Sequence, residues 1–427
     1  MKFLPALASI VVCATWCGTG ATAASLRPGA DFAPPAKAAS EQVLYSFQGG
    51  NDGANPQAPL AVDGTGSLYG TTVLGGNGNG TIFKLTPSGS TYVESIPWRF
   101  TEGNDGSAPH AGLVVDSSGA FYGTASGGGK HGFGCVFKLT SGKAGYTLTP
   151  LYGFAGPPDG SGPIGGVLIG ASGVLYGTTE SGGTSGDGNG TGTVFALTPS
   201  GNAYTESVLL SFDGVNGIFP YAGLITDASG ALYGTTFLGG TSKSMDNPGY
   251  GTAFKLSPNG SGYIQTVLWN FQLHGGSYLP YGGLVEDSAG NLFGVTNVGG
   301  PYGAGSVYEL SPTGSTYALT FVHNFDPKKG DGGEPFAESL LLGKDGSIYG
   351  TTEEGGTGTL CTGGCGTVFE LKPGKKGYTE KVIYSFRGEP DGSAPAAGLI
   401  ADANGTLYGT TYAGGQYGYG TAFEVTP

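Results

Sequence analysis

The side chains through which this chain could do chemistry are few: two cysteines four residues apart, a recurring aspartate, and tyrosines set among glycines. Cys361 and Cys365 flank Thr-Gly-Gly, a spacing that suits a local disulfide in an exported chain. A metal pair would need a second Cys pair or a histidine cluster beside it, and neither accompanies it. Cys135 stands where other copies of the same motif carry Thr193 or Thr367, and reads as a free thiol buried in a strand. His110, His131, His274 and His323 are scattered. The first two fall on one face of one unit, without a third ligand.

An acid or amide recurs at Asp52, Asp105, Asp159, Asn216, Asp331 and Asp391, each followed by Gly and each four residues before a Pro. Such side chains close Asx-turns, and the same oxygens would accept bonds from sugar hydroxyls or hold Ca²⁺. A position repeated in nearly every unit is architecture before it is a site, so the turn comes first. Ca²⁺ is the one metal the ring would suit, and no other cofactor is expected. Tyr250, Tyr302, Tyr417 and Tyr419 lie in Gly-rich loops of varying length. Their ring faces with polar neighbours suit sugar stacking, and packing over the scaffold is the alternative. Glu338-Ser339 replaces the small pair seen at Ala111-Gly112 and Gly282-Gly283, which puts Glu338 at a channel mouth or in water.

What positions these residues is a repeat. An aromatic followed by Gly recurs at Tyr69, Tyr122, Tyr176, Tyr233, Phe293, Tyr349 and Tyr408, at intervals of 53 to 60 residues. A Gly stands three residues before each, and a Gly-Gly pair begins six residues after. A Pro precedes the aromatic by 13 residues in six units and by 14 at Pro335. Each unit holds four runs of β-branched and aromatic residues bounded by Gly, Asp, Ser and Pro, the pattern of short strands. No capped helical period appears. Seven units of four strands at this period predict an all-β, seven-bladed β-propeller of four-stranded antiparallel blades. Val43–Phe47 (VLYSF) matches the fourth run of every unit, whereas the C-terminus, FEVTP, stops inside a third run. The last blade is therefore closed by the N-terminal strand, which hides the edge that an open solenoid would expose.

The units G-L-x-x-D-x-x-G-x-L-Y-G-T-T…G-G…G-T-V-F-x-L…V-L-x-S-F resemble the Gloeobacter/Verrucomicrobia (GloVer) tandem repeat over nearly all of 41–427. The resemblance implies a bacterial secreted or surface protein, without an established general activity. Residues 1–24 read as a signal peptide, with Lys2, an apolar run from Phe3 to Trp16 and Ala21-Thr22-Ala23 as cleavage site. Residues 25–40 read as a flexible Ala/Pro leader, and 41–427 as the propeller. Export makes the chain secreted, extracellular or periplasmic. No second long apolar run follows, so no membrane span is expected.

Composition narrows the function. Gly is 87 of 427 residues and only 11% are charged, with a formal net charge of −13. Loss of Lys2 with the signal peptide makes the mature chain one unit more negative. Such a chain, with Arg27, Arg99 and Arg387 as its only arginines, is no nucleic-acid binder. Two arginines in the folded region also fall short of the triad that a sialidase needs. No nucleophile elbow appears. A paired-carboxylate glycosidase remains open, although a non-enzyme is favoured. The crossovers and second-to-third-strand loops share one face, and variable loops on a rigid scaffold are where binding sits. The leading expectation is a secreted, monomeric binding propeller for a polysaccharide or surface glycoconjugate. A protein-interaction or envelope scaffold without sugar binding is the second, and a carbohydrate-active enzyme the third.

Overall fold

The computed structural model describes residues 40–427 except 186–187, 202, 242–248, 261, 274–275 and 337–338. The signal peptide, the leader up to residue 39, His274 and Glu338 lie outside the described residues. The fold is all-β, and its helical turns are the short 3₁₀ segments Gly76–Gly78, Ala171–Gly173 and Pro327–Lys329. No helix among the described residues is long and apolar enough to cross a membrane.

Seven four-stranded antiparallel sheets form the blades. Blade 1 runs Ala61–Val62, Leu68–Thr72, Thr81–Ser88 and Thr91–Arg99. Blades 2 to 6 repeat this order, ending on the outer strands Gly145–Gly153, Ala203–Ser211, Gly262–Asn270, Thr316–Asn324 and Gly377–Ser385. Blade 7 takes Ile400–Ala401, Leu407–Thr411 and Thr421–Thr426 from the C-terminal end and Ser40–Ser46 from the N-terminal end. These last two pair antiparallel from Ser40↔Thr426 to Ser46↔Thr421, so the closing strand starts one residue earlier than 41.

Two contacts hold the ring, an aromatic pair made in every blade and a hydrogen bond made in six of the seven. The Phe ending each outer run is buried and meets the third-strand aromatic of the next blade. The pairs are Phe47–Phe83, Phe100–Phe137, Phe154–Phe195, Phe212–Phe254, Phe271–Tyr308, Phe325–Phe369 and Phe386–Phe423, with centroids 4.9–5.3 Å apart. Edge-on pairs of this kind contribute beyond their buried area. The Gly of the Tyr-Gly motif makes room for that ring: a Cβ at Gly70 would lie 2.4 Å from Phe83 Cζ. Nearer the axis, the first Thr of Thr-Thr donates to a carbonyl of the next blade. Thr71, Thr124, Thr178, Thr235, Thr351 and Thr410 bond to the O atoms of Ala111, Gly165, Ala222, Gly282, Ala397 and Ala58. The last of these joins blade 7 to blade 1. Val295 fills the Thr position in blade 5.

The Asp-x-x-Gly turns are built as their residues require. Asp63 Oδ1 accepts from the N–H groups of Thr65 and Ser67, while Oδ2 takes the Tyr69 hydroxyl. Asp116 and Asp227 repeat the arrangement with Tyr122 and Tyr233. Burial pushes these three carboxyls up, but the hydrogen bonds outweigh it and hold all three below their ordinary value.

Candidate functional site

The recurrent crossover acids are turn-formers in this fold. Asp52 accepts from Gln48 N and the Tyr45 hydroxyl; Asp159 does the same with Ala155 N and Tyr152. Asp105 takes Trp98 Nε1 and Thr101 N. Asp331 takes Asp326 N and faces His323 Nε2 at 2.9 Å, and Asp391 takes the Tyr384 hydroxyl at 2.5 Å and Arg387 N. Asn216 receives Asp213 N. In four of the six the donor side chain stands seven residues earlier on the outer strand, and in Asp331 the partner, His323, stands eight earlier. No group of three or more His, Cys, Asp or Glu fit to hold a metal occurs among the described residues.

The four loop tyrosines are dispersed. Tyr250 packs edge-on against Tyr278 in the blade 4–5 core. Tyr417 and Tyr419 are about half exposed on blade 7, with the Tyr419 ring over Gly49. Tyr302 is exposed beneath Lys329, whose Nζ lies 5.3 Å from the ring centre. It lines a cavity of about 340 Å³ with Asp326, Lys328, Glu334 and Glu354. Cys361 and Cys365 form a disulfide, and Cys135 is a buried free thiol.

The denser constellation lies on the ring axis, and it escapes a reading of loops alone. Three positions per repeat converge there. The residue before each conserved-position Pro is Asn55, Ala108, Gly162, Phe219, Leu279, Glu334 or Ala394, and each has φ between +50° and +64°. Left-handed backbone at six non-glycine residues is strained. Paired bonds hold it: Phe219 N donates to Thr191 O of the preceding blade, and Phe219 O accepts from Phe237 N of its own. The other six blades repeat both bonds. Each strained residue thus clips a second-to-third-strand loop to the start of its neighbour.

The residue after the same Pro is Gln57, His110, Ile164, Tyr221, Tyr281, Phe336 or Ala396. Five of these, from blades 3 to 7, belong to one buried cluster with Phe237, and five blades meet only at the axis. Tyr221 and Tyr281 stack at 5.0 Å and 19°, and Tyr281 and Phe336 at 4.2 Å and 28°. The third position follows Thr-Thr: Val73, Ser126, Glu180, Phe237, Asn297, Glu353 and Tyr412. The mouth therefore carries its aromatic rings mainly on blades 4 to 6, polar Gln57, His110 and Glu180 on blades 1 to 3, and Ala394, Ala396 and Tyr412 on blade 7.

Burial shifts its titratable groups toward their neutral forms. The Tyr221 hydroxyl donates to Glu180 Oε1 at 3.3 Å, but burial dominates and pushes that carboxyl up to about 7. Burial, then the nearby charges of Glu334 and Glu354, push Glu353 up to about 8. Burial alone pulls His110 down to about 4. His110 is 8% exposed, and its Nδ1 has no hydrogen-bond partner. His131, grouped with it from sequence, is exposed on a loop instead. A signal for this site was present in the repeat itself: the residues flanking the fixed Pro and Thr-Thr vary from blade to blade while their neighbours do not.

Two of the solved structures that match serve to show the fold. One is the extracellular domain of a candidate hybrid two-component system from B. thetaiotaomicron, with a TM-score of 0.54 and 13% identity, covering 91% of this chain and 42% of that one. The other is a candidate 6-phosphogluconolactonase from Bacteroides fragilis, with a TM-score of 0.50 and 13% identity, covering 80% of this chain and 86% of that one. At such identities the likeness is one of fold. No curated protein matches the chain. Residues 95–245 and 240–427 match the Gloeobacter/Verrucomicrobia repeat, and with blades, seams and turns recurring in register the chain belongs to that family.

Proposed function

We propose that this is an exported binding propeller that recognises a polysaccharide or glycoconjugate at the axial mouth. The observation that carries the reading is the aromatic cluster of Tyr221, Tyr281 and Phe336 at the ring axis, with the Tyr221 hydroxyl on a buried carboxyl. Ring faces bury the apolar face of a sugar, and neighbouring acceptors take its hydroxyls. The leader with its cleavage motif and the disulfide support export. The exposed Tyr302, Tyr417 and Tyr419 would extend the contact outward along the same face.

The test is a pull-down of residues 25–427 against insoluble polysaccharides and arrayed glycans, with and without EDTA. Saturable binding to one sugar class, weakened in Tyr302→Ala or Tyr417→Ala without a change in melting behaviour because both rings are exposed, is the expected result. Loss of binding on EDTA would bring Ca²⁺ and the crossover acids into the site. Absence of binding across the panel would overturn the reading in favour of a protein-interaction scaffold. One observation favours catalysis as a second reading: Glu180 and Glu353 sit near neutral pKa, as general acids do. Product release from a bound glycan, abolished in Glu353→Gln, would establish it.

A further inference from the structure

Blades 2, 5 and 7 share one form of second-to-third-strand loop, of equal length and closed by the same bridge: Gly128 to Phe133, Gly299 to Ala304 and Gly414 to Tyr419. In blades 2 and 7 the bridging aromatic lies over the crossover that leaves the same blade. A Cβ on Gly156 would meet the Phe133 ring at 3.0 Å, and one on Gly49 the Tyr419 ring at 2.9 Å. In blade 5 the bridging residue is Ala304, and the crossover carries the 3₁₀ turn Pro327–Lys329. The space that an aromatic ring fills elsewhere is here part of an open cavity of about 340 Å³, with Tyr302, Ala304, Asp326, Lys328, Glu334 and Glu354 in its lining. That volume lies at the small end of ligand pockets, which run from roughly 300 to 1,000 Å³.

The polar wall departs from the repeat as well. Glu334 stands before the fixed Pro and Glu354 two residues after Thr-Thr, and no other blade has an acid at either place. Glu334 N donates to Ala304 O at 2.9 Å, which ties one acid to the missing plug. Asp326 is taken by Lys329 at 3.0 Å, and Lys329 in turn lies on the Tyr302 ring. The side chains of Lys328, Glu334 and Glu354 make no hydrogen bond or ion pair with another described residue. Tyr302 itself is 54% exposed. The cavity thus combines an accessible ring with acceptors and a donor that the protein leaves unused.

We infer that this cavity between blades 5 and 6 seats a short stretch of a neutral sugar, its ring face on Tyr302 and its hydroxyls on Glu334, Glu354 and Lys328. This rests on the carbohydrate reading above and gives it a second contact beside the axial mouth. Carboxylates accept from sugar hydroxyls and the ammonium donates to one, so the lining meets both roles of a hydroxyl. Two acids against one lysine leave the lining negative, which disfavours a uronic acid.

The test follows binding of residues 25–427 calorimetrically, using neutral gluco-, manno- and xylo-oligosaccharides of increasing length and oligogalacturonates of the same lengths. At least one neutral series is expected to bind, with no gain in affinity beyond about three units because the cavity is small. The galacturonates are expected to bind at least about tenfold more weakly. Ala304→Phe, which restores the residue type of blade 2, should fill the cavity and weaken neutral binding at least about tenfold with no polar group removed. Tyr302→Ala and Glu354→Gln should each weaken it by about the same factor, and His131→Ala, at the matching place in blade 2, should change nothing. Thermal unfolding of each variant separates misfolding from lost contacts; if Ala304→Phe unfolds early, Tyr302→Ala, on an exposed ring, decides. Neutral binding undiminished in Ala304→Phe and Tyr302→Ala, or tighter binding of the galacturonates, would overturn this inference and leave carbohydrate binding standing elsewhere on the ring. If no neutral series binds, the inference falls, and a blank on the wider glycan panel would take the carbohydrate reading with it.

Discussion

Tyr308 occupies the third-strand position that is Phe83, Phe137, Phe195, Phe254, Phe369 and Phe423 in the other six blades. It is fully buried, its hydroxyl has no partner, and burial drives its pKa far up. The hydroxyl lies where a Cβ on Gly294 would be. A buried hydroxyl without a partner costs roughly 1–3 kcal/mol, while the seam contact with Phe271 needs only the ring. Tyr308→Phe should therefore stabilise the protein by about 1 kcal/mol, read as a rise in denaturant midpoint at unchanged slope. A lower midpoint would mean that the hydroxyl has a partner in solution. Blade 2 makes the reverse exchange. In five of the other blades two Thr hydroxyls meet, as Thr72 and Thr81 do at 2.7 Å; here Ala125 faces Cys135, and the polar pair is replaced on both sides at once.

Where blades meet at the rim, four of the five crossover aspartates stand near a Glu of the next outer strand. Glu94 is raised by the charge of Asp52, Glu206 by Asp159, Glu380 by Asp331 and Glu41 by Asp391, in each case after burial, the larger cause. Arg99, His323, Tyr384 and Arg387 oppose this without cancelling it, and all four carboxyls stand at about 7. One Oε1 of each is buried without a partner. In blade 4 both members turn neutral together: Gln265 Nε2 donates to Asn216 O at 3.2 Å. A carboxyl whose folded pKa is raised contributes stability that is complete below its ordinary value and is lost as pH rises through about 7. The lowered Asp63, Asp116 and Asp227 act oppositely, only in strong acid. The melting temperature should thus fall between pH 5 and pH 8.5, and fall less in the triple variant Glu94→Gln, Glu206→Gln, Glu380→Gln. An equal fall in both proteins would remove these seams from the account.

The blades were legible in the sequence because each is local: strand runs, Asp-x-x-Gly turns and the glycine beneath each seam aromatic all lie within one unit. The closing strand was legible because VLYSF repeats a pattern found in the outer runs. The axial mouth was not, since its residues come from different blades and become neighbours only when the ring closes. Loop variability drew attention to Tyr250 and Tyr417, yet Tyr250 is needed for packing against Tyr278. The crossover acids recur because each builds a turn, and their bonds to Tyr45, Trp98 and Tyr152 show how.

At the scale of the whole molecule the ring depends on one strand. Ser40–Ser46 is the outer strand of blade 7, and without it Thr421–Thr426 becomes a bare edge with Phe423 and Val425 behind it. Such edges template association. A chain starting at residue 47 should lose the monomer peak in size-exclusion chromatography and unfold at lower temperature; an unchanged monomer would mean that blade 7 stands on three strands.

The same strand sets a timetable. It is synthesised before every other strand of the ring, and its partner emerges after the other blades have had time to form. During that interval the strand is free and the matching edge does not yet exist on its own chain. A finished edge on a neighbouring chain is an equivalent acceptor, because the register is written in residues that both copies share. Crowded expression should therefore yield exchanged dimers in proportion to concentration, and dilution before refolding should return single rings.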